Sequence, residues 1–162
     1  MAPPSAKLSP EALTATATAW IDALGSLDLD RLRSLMSANY QHAFAPGTLK
    51  LAGATKDFDA MLAHAARAGA VMNSFRVFPR QVWPNPHLRQ VVVWADSKAE
   101  FKEEAKKGGD NGEGWDYAGE YVFVITVNEE GDKVENVIEF LDSKATERVL
   151  GMIARAFKNI EG

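Results

Sequence analysis

A glutamate and a histidine lie within segments of the chain that are otherwise rich in apolar residues. Glu139 lies in the run from Lys133 to Asp142, and His42 lies between Tyr40 and Phe44. A carboxylate in an apolar strand must be solvated, paired or set in a cavity. Burial raises the pKa of a carboxyl group towards neutrality, which suits proton transfer. Glu139 is therefore the first candidate for a general acid or base; the alternative is an exposed glutamate that pairs with a neighbouring strand.

His42 is the second candidate, because alternation along a strand places it on the same face as Tyr40 and Phe44. Its imidazole could position or protonate a substrate oxygen, with Tyr40 helping to orient that oxygen. The alternative is a buried histidine satisfied by the backbone. The chain offers no second ligand at a helical or strand spacing from His42, so we expect no metal site, and we expect no cofactor.

A second group of polar residues lies in the run before Glu139. Tyr117 and Tyr121 share a strand face and could donate hydrogen bonds to an enolate or carbonyl oxygen of a substrate. Glu120 and Tyr121 point to opposite faces, so one of them lines a pocket, and the sequence leaves open which. Asp142 could bind substrate or cap the helix that follows it.

Apolar side chains could form the wall of the same pocket. Trp20, Phe44 and Phe58 are the candidates for substrate contact, with ordinary core packing as the alternative. In the last strand, Val137, Glu139 and Leu141 share one face, while Asn136, Ile138, Phe140 and Asp142 share the other. Both faces are mixed, so alternation alone does not say which one points inward.

The elements that must position these residues begin with helices. Ser9, Pro10 and Glu11 predict a helix start that runs to Gly25. Asp28 predicts the cap of a second helix, with a stripe through Leu29, Leu32, Leu35 and Met36. A third helix is predicted to open at 55–57 and a last one to cover 146–157.

The strands gather later in the chain. Runs at 40–44, 74–83 and 87–96 predict strands, and Pro79 makes the second an edge or bulged strand. Residues 97–114 predict a polar loop. A hairpin follows, with strands at 117–127 and 133–142 around an Asn-Glu-Glu-Gly turn. This order predicts an α+β domain over 10–160, with helices on one face of an antiparallel sheet, after a disordered lead at 1–9.

Composition narrows the function classes. The chain has 162 residues, a formal net charge of -4 and no cysteine. The charge argues against nucleic acid or an anionic membrane as partner, and the absence of cysteine removes disulfides and thiolate chemistry. No stretch approaches the roughly 20 apolar residues of a membrane span, so we expect a cytoplasmic protein.

The chain resembles the SnoaL-like, or nuclear-transport-factor-2-like, superfamily, and in particular a subgroup of small fungal members. The resemblance is carried by the run from Tyr40 to Leu49, by Lys56 to Phe58 with His64, and by the terminal hairpin through Ser143. It implies a curved sheet wrapped round a long helix, forming a cone with a pocket at its mouth. It also implies a homodimer through the outer face of the sheet.

The resemblance to individual enzymes of this superfamily is partial. Tyr40 and His42 occupy the places of the Tyr and Asn that hold the reactive water in limonene epoxide hydrolase, and Glu139 matches its catalytic aspartate. The Arg and second Asp of that enzyme have no equivalent, and the paired cavity histidines of scytalone dehydratase are also missing.

The resemblance therefore implies, first, a cofactor-independent isomerase or cyclase acting on a hydrophobic, oxygenated small molecule of secondary metabolism. The alternatives are a ligand-binding protein without catalysis, a dimeric scaffold, and a dehydratase or hydrolase of the same fold.

Overall fold

The computed structural model describes residues 8–49, 51, 55–107 and 114–162. The disordered lead predicted at 1–9 therefore lies almost wholly outside the described residues, as does the glycine-rich part of the loop predicted at 97–114. Within the described part, Ser9 caps the first helix as predicted, its side chain accepting a hydrogen bond from the amide of Ala12.

Within the described residues, five α-helices and six strands form an α+β unit; the α+β class was predicted, but one short helix and one short strand were not. The helices are α1 (Pro10–Gly25), α2 (Leu29–Leu35), α3 (Phe58–Val71), α4 (Glu103–Lys106) and α5 (Ser143–Glu161). The strands are β1 (Met36–Ala45), β2 (Thr55–Asp57), β3 (Met72–Asn85), β4 (Gln90–Phe101), β5 (Tyr117–Val127) and β6 (Val134–Leu141).

The six strands form one curved, unclosed sheet in the order β2-β1-β6-β5-β4-β3. Every pair is antiparallel except β1 with β6, which are parallel. That exception could not be predicted from local patterns, since no turn joins these two strands. Helix α1 packs across β3 to β6, which places it against the inner face of the sheet.

Two predicted helix boundaries were wrong. Helix α2 ends at Leu35, and Met36 already belongs to β1, although its side chain is buried in the same core. Thr55 and Lys56 form β2 against β1 rather than opening a helix; Asp57 does cap α3, accepting a hydrogen bond from Ala60.

The strand predictions show one confirmation and one error. Strand β3 is an edge strand with a register shift between Pro79 and Gln81, as the proline predicted. Strand β4 runs on to Phe101, through the first part of the predicted loop. The alternation continues there, with Ser97 buried and Lys98 exposed, so charge on the solvent face concealed a strand.

None of the helices within the described residues is long and apolar enough to cross a bilayer.

Candidate functional site

Burial decides which face of β6 points into the molecule. Val137, Glu139 and Leu141 are buried, whereas Ile138 and Phe140 are 43% and 53% exposed. The inward face therefore carries the carboxylate. On β1, Met36, Ser37, Tyr40 and His42 are buried and Phe44 is partly buried, so the alternating residues Tyr40, His42 and Phe44 face the same interior.

Tyr40, His42 and Glu139 form a chain of hydrogen bonds in this interior. The Tyr40 hydroxyl lies 2.8 Å from His42 Nδ1, and His42 Nε2 lies 2.9 Å from Glu139 Oε2. Tyr40 and His42 are inaccessible to water, while the Glu139 side chain keeps 10% of its surface exposed. The carboxylate is thus the member of the chain that a substrate can reach.

The protonation of this chain follows from the burial of Tyr40. Desolvation, with the nearby charge of Glu139 adding to it, raises the pKa of Tyr40 well above its ordinary value. Tyr40 therefore keeps its proton and can donate it to Nδ1 of His42, and in that arrangement the Nε2–H of His42 donates to Glu139 Oε2.

Aromatic rings enclose the chain. The Trp20 ring lies 5.9 to 6.3 Å, centroid to centroid, from the rings of Tyr40, His42 and Phe123. Trp20 is fully buried, and its side chain interacts with the Tyr40 hydroxyl, which opposes part of the desolvation that raises the pKa of Tyr40.

A second polar group lies further along the inner face, on β5 and β4. The hydroxyls of Tyr117 and Tyr121 are 2.6 Å apart and buried. Ser97 is also fully buried, and its side chain interacts with both tyrosine hydroxyls, which opposes part of the desolvation that raises their pKa values. Desolvation raises the pKa of both tyrosines, so both remain phenols. The hydrogen bond between them uses one proton and leaves the other available for donation.

Gly119 makes this pair possible. It lies between Tyr117 and Tyr121 on the same strand face, and a Cβ atom there would collide with the Tyr117 hydroxyl. The ring of Tyr117 folds over the space left by the missing side chain and so reaches Tyr121.

Phe44, His64 and Lys56 form the less buried edge of this interior, which is called the mouth below. The Phe44 ring lies 4.6 Å from the ring of His42 and 5.5 Å from that of His64, and Lys56 Nζ is 5.9 Å from its centroid. His64 is accessible to water, but it is set among protein atoms, and this partial desolvation lowers the pKa of His64. The charge of Glu139 opposes that lowering, while Lys56 and His42 add to it.

Glu120 and Asp142, which were predicted to bind substrate, lie outside this interior. Glu120 is on the outer face of the sheet, where it accepts a hydrogen bond from Trp94 Nε1, so Tyr121 is the inward member of that pair. Asp142 caps α5 by accepting a hydrogen bond from the amide of Ala145. Phe58 begins α3 and packs partly buried against the main core.

Two surface depressions, of about 410 and 460 Å³, lie away from the buried chain of hydrogen bonds. The first is formed between α1 and Pro84, and the second is lined by Lys98, Asp116, Tyr117 and Arg148, among others. Neither is lined by His42 or Glu139. The interior around Glu139 is filled mainly by aromatic side chains.

Solved structures of similar shape exist for fungal and bacterial proteins. BvnE pinacolase from Penicillium brevicompactum is 24% identical, with a TM-score of 0.74 over 89% of this chain and 92% of that one. AusH from Aspergillus nidulans is 21% identical, with a TM-score of 0.70 over 83% and 86%. A protein described as SnoaL-like from Shewanella denitrificans is 15% identical, with a TM-score of 0.65 over 86% and 96%.

No protein-family model matches the sequence. No curated protein matches it either. The structural comparisons therefore define the fold: this chain has the SnoaL-like, cystatin-like α+β fold that the resemblance implied.

Sequence reasoning missed Lys56, Ser97 and Gly119 as residues near the site. The sequence pattern predicts a helix start at Lys56 and a loop at Ser97, whereas Lys56 lies in β2 and Ser97 in β4. The signal for Ser97 was the unbroken alternation from Val91 to Phe101. Lys56 becomes visible only once β2 is paired with β1.

Proposed function

We propose that this protein is a cofactor-independent enzyme that rearranges a hydrophobic, oxygenated small molecule by proton transfer, in an isomerisation or cyclisation of secondary metabolism. The observation that carries the proposal is the bonding of Glu139 to His42, and of His42 to Tyr40, inside an aromatic enclosure. A carboxylate kept from bulk water, with one oxygen held by an imidazole, is suited to take and return a proton.

In this reaction Glu139 removes a proton from one atom of the substrate and delivers it to another. No atoms are gained or lost, so substrate and product have equal mass. His42 donates to one carboxylate oxygen and leaves the other facing the substrate, while Tyr40 holds the histidine in the tautomer that can donate. The apolar enclosure selects one conformer of the substrate.

Tyr117 and Tyr121 supply the second half of the proposed site. Their shared hydrogen bond leaves one phenolic proton to donate to a substrate carbonyl or hydroxyl oxygen. A pinacolase has a similar fold, and the rearrangement of a hydroxy ketone, in which the hydroxyl proton is removed, the carbonyl oxygen is protonated and no atom is lost, fits this division of roles. That likeness is one of fold, and the residues named here carry the proposal.

A test compares the metabolites of the native host carrying the wild-type gene, Glu139→Gln or Glu120→Gln. The two substitutions make the same chemical change on opposite faces of the sheet, so Glu120→Gln is the matched control. We expect Glu139→Gln to abolish one product and to accumulate a compound of equal mass, detected by mass spectrometry. We expect Glu120→Gln to leave the profile unchanged.

Other outcomes would point to other reactions. A mass difference of one water between the lost and the accumulated compound would indicate a hydratase or dehydratase. An unchanged profile with folded Glu139→Gln protein would refute the proposal.

A non-catalytic protein that binds a hydrophobic ligand, or a dimeric scaffold, is the second candidate. The observation that favours it is the close filling of the interior, where Glu139 is only 8% exposed and neither surface depression reaches it. For a binding protein, Glu139→Gln would change ligand affinity modestly and would change no product.

A further inference from the structure

Lys56 lies on the inner face of the sheet although it is charged. It is paired directly with His42 across β2 and β1, and directly opposed residues in an antiparallel pair project to the same face. Its side chain is half-buried, and its ammonium group makes no ion pair or hydrogen bond among the described residues. A half-buried lysine on the inner face, with its ammonium group over an aromatic ring and bonded to no carboxylate among the described residues, can bind a ligand of opposite charge.

Phe44 connects the Lys56 ammonium group to the Glu139 carboxylate. Lys56 Nζ lies over the ring of Phe44, and His64 approaches the same ring. Phe44 is in turn the strand partner of Glu139, and both side chains face inward. The lysine and His64 therefore flank the Phe44 ring, beside which the Glu139 side chain keeps 10% of its surface exposed.

We propose that Lys56 and His64 form an oxyanion subsite, and that the substrate is a carbonyl compound whose plane stacks on Phe44 with its oxygen at Lys56. This rests on the proposed proton transfer by Glu139. When the bond between a substrate carbon next to the carbonyl and its hydrogen breaks, the proton goes to the carboxylate. The electron pair goes to the carbonyl oxygen, which becomes an enolate, and a later proton transfer from Glu139 to another carbon restores the carbonyl.

The subsite binds a negatively charged oxygen more strongly after Glu139 has taken the proton than before. While Glu139 is ionised, its negative charge offsets that of Lys56. Once the carboxyl group has taken the proton it is neutral, and the ammonium faces the enolate alone in a half-buried position, where charges attract more strongly than in water. The neutral imidazole of His64 donates a hydrogen bond to the same oxygen.

The test uses 4-nitrophenol, because its phenolate absorbs visible light and its phenol does not. Glu139→Gln serves as the background, since the neutral amide imitates the carboxyl group after proton transfer. We expect this variant to bind phenolate about tenfold more tightly than phenol, seen as a pKa of the bound probe about one unit lower than in water. Lys56→Met in the same background should lose this preference, while Lys56→Arg should retain it.

Lys144→Met is the matched control, since it removes the same charge from the exposed surface of α5 and should retain the preference. Lys56→Gln provides a second variant in case Lys56→Met does not fold. If Glu139→Gln binds no phenolate in preference to phenol, or if Lys56→Met and Lys56→Gln keep the preference, the subsite is refuted.

The metabolite comparison described above separates this failure from failure of the proposed function. An unchanged metabolite profile with the lysine-dependent phenolate preference intact would refute catalysis by Glu139 and leave the anion-binding site standing. A lost product without that preference would support catalysis and refute the subsite.

Discussion

At the scale of single residues, the site is defined by which groups keep their protons. Tyr40, Tyr117 and Tyr121 are buried phenols with raised pKa values, so they donate hydrogen bonds throughout the physiological range. Glu139 is the group that remains accessible at the edge of this network. Glu139 is therefore the group in this site that is placed to exchange a proton with a substrate. His64 lies beside it at the mouth.

His64 offers a readout of the charges at the mouth. Because desolvation lowers its pKa, we expect the ring to titrate below its ordinary value of about 6.5. Lys56→Met removes a repulsive positive charge and should raise the pKa of His64. Glu139→Gln removes an attractive negative charge and should lower it further. NMR titration of the imidazole carbons measures the pKa of His64 in the wild-type protein and in both variants.

The lowered pKa of His64 makes the stability of the protein depend on pH. A histidine with a lowered folded-state pKa binds fewer protons in the folded than in the unfolded chain near pH 6, so its contribution favours folding as pH rises through that range. A lower pKa of His64 in Lys56→Met, a higher one in Glu139→Gln, or no shift in either variant would show that Lys56 and Glu139 do not face this ring.

At the scale of elements, the packing of neighbouring side chains along β5 shapes the site. Gly119 leaves room for the Tyr117 ring, and its strand partner on β4 is Ser97. Strands β1 and β6 run parallel and bring Phe44 beside Glu139. Each of these juxtapositions depends on register, since a shift of one residue would turn the polar groups to the outer face.

Gly119→Ala should disturb the tyrosine pair without unfolding the protein. The added methyl group displaces the Tyr117 hydroxyl, which sits at the end of a side chain that can move, so we expect a loss of about 1–3 kcal/mol in the free energy of unfolding. Urea denaturation measures this loss, and a change in tyrosine ultraviolet absorption reports the broken hydrogen bond.

Gly69→Ala is the control for that substitution. Gly69 lies in α3, and nothing lies within 4 Å of the position of its added Cβ. We expect it to raise the free energy of unfolding by about 0.5–1 kcal/mol, because alanine is the better helix former. If Gly119→Ala behaved like Gly69→Ala, the packing described around Tyr117 would be wrong.

At the scale of the whole molecule, the outer face of the sheet carries an exposed apolar surface. Phe78, Trp83, Val122, Ile138 and Phe140 are each between 37% and 53% exposed. Direct strand partners link Trp83 through Val92 and Val124 to Ile138, so the apolar surface runs continuously across four strands. We propose that a second copy of this chain covers it in a homodimer.

Phe140→Asp should dissociate that homodimer, because it places a charge at the most exposed of these positions. Sedimentation velocity measures the change from dimer to monomer. Leu150→Asp, at an exposed leucine on α5, is the matched control and should leave the dimer intact. A wild-type protein that sediments as a monomer would contradict the proposal.

Much of this molecule is determined by sequence alone, because local signals suffice for it. The Ser9-Pro10 start of α1, the bulged edge strand at Pro79 and the terminal hairpin follow from turn and capping chemistry within a few residues. The shared face of Tyr40 and His42 follows from strand alternation, and the choice of Glu139 as candidate follows from its apolar neighbours.

The tertiary structure decided what depends on pairing between distant segments. The inward face of β6, the outward position of Glu120 and the parallel pairing of β1 with β6 are set by which faces the helices cover. The contact between His42 and Glu139, 97 residues apart, and the inward side of Lys56 exist only once those strands are in register. Alternation divides the residues of every strand between two faces but does not say which face points inward. Only packing against the rest of the molecule decides that.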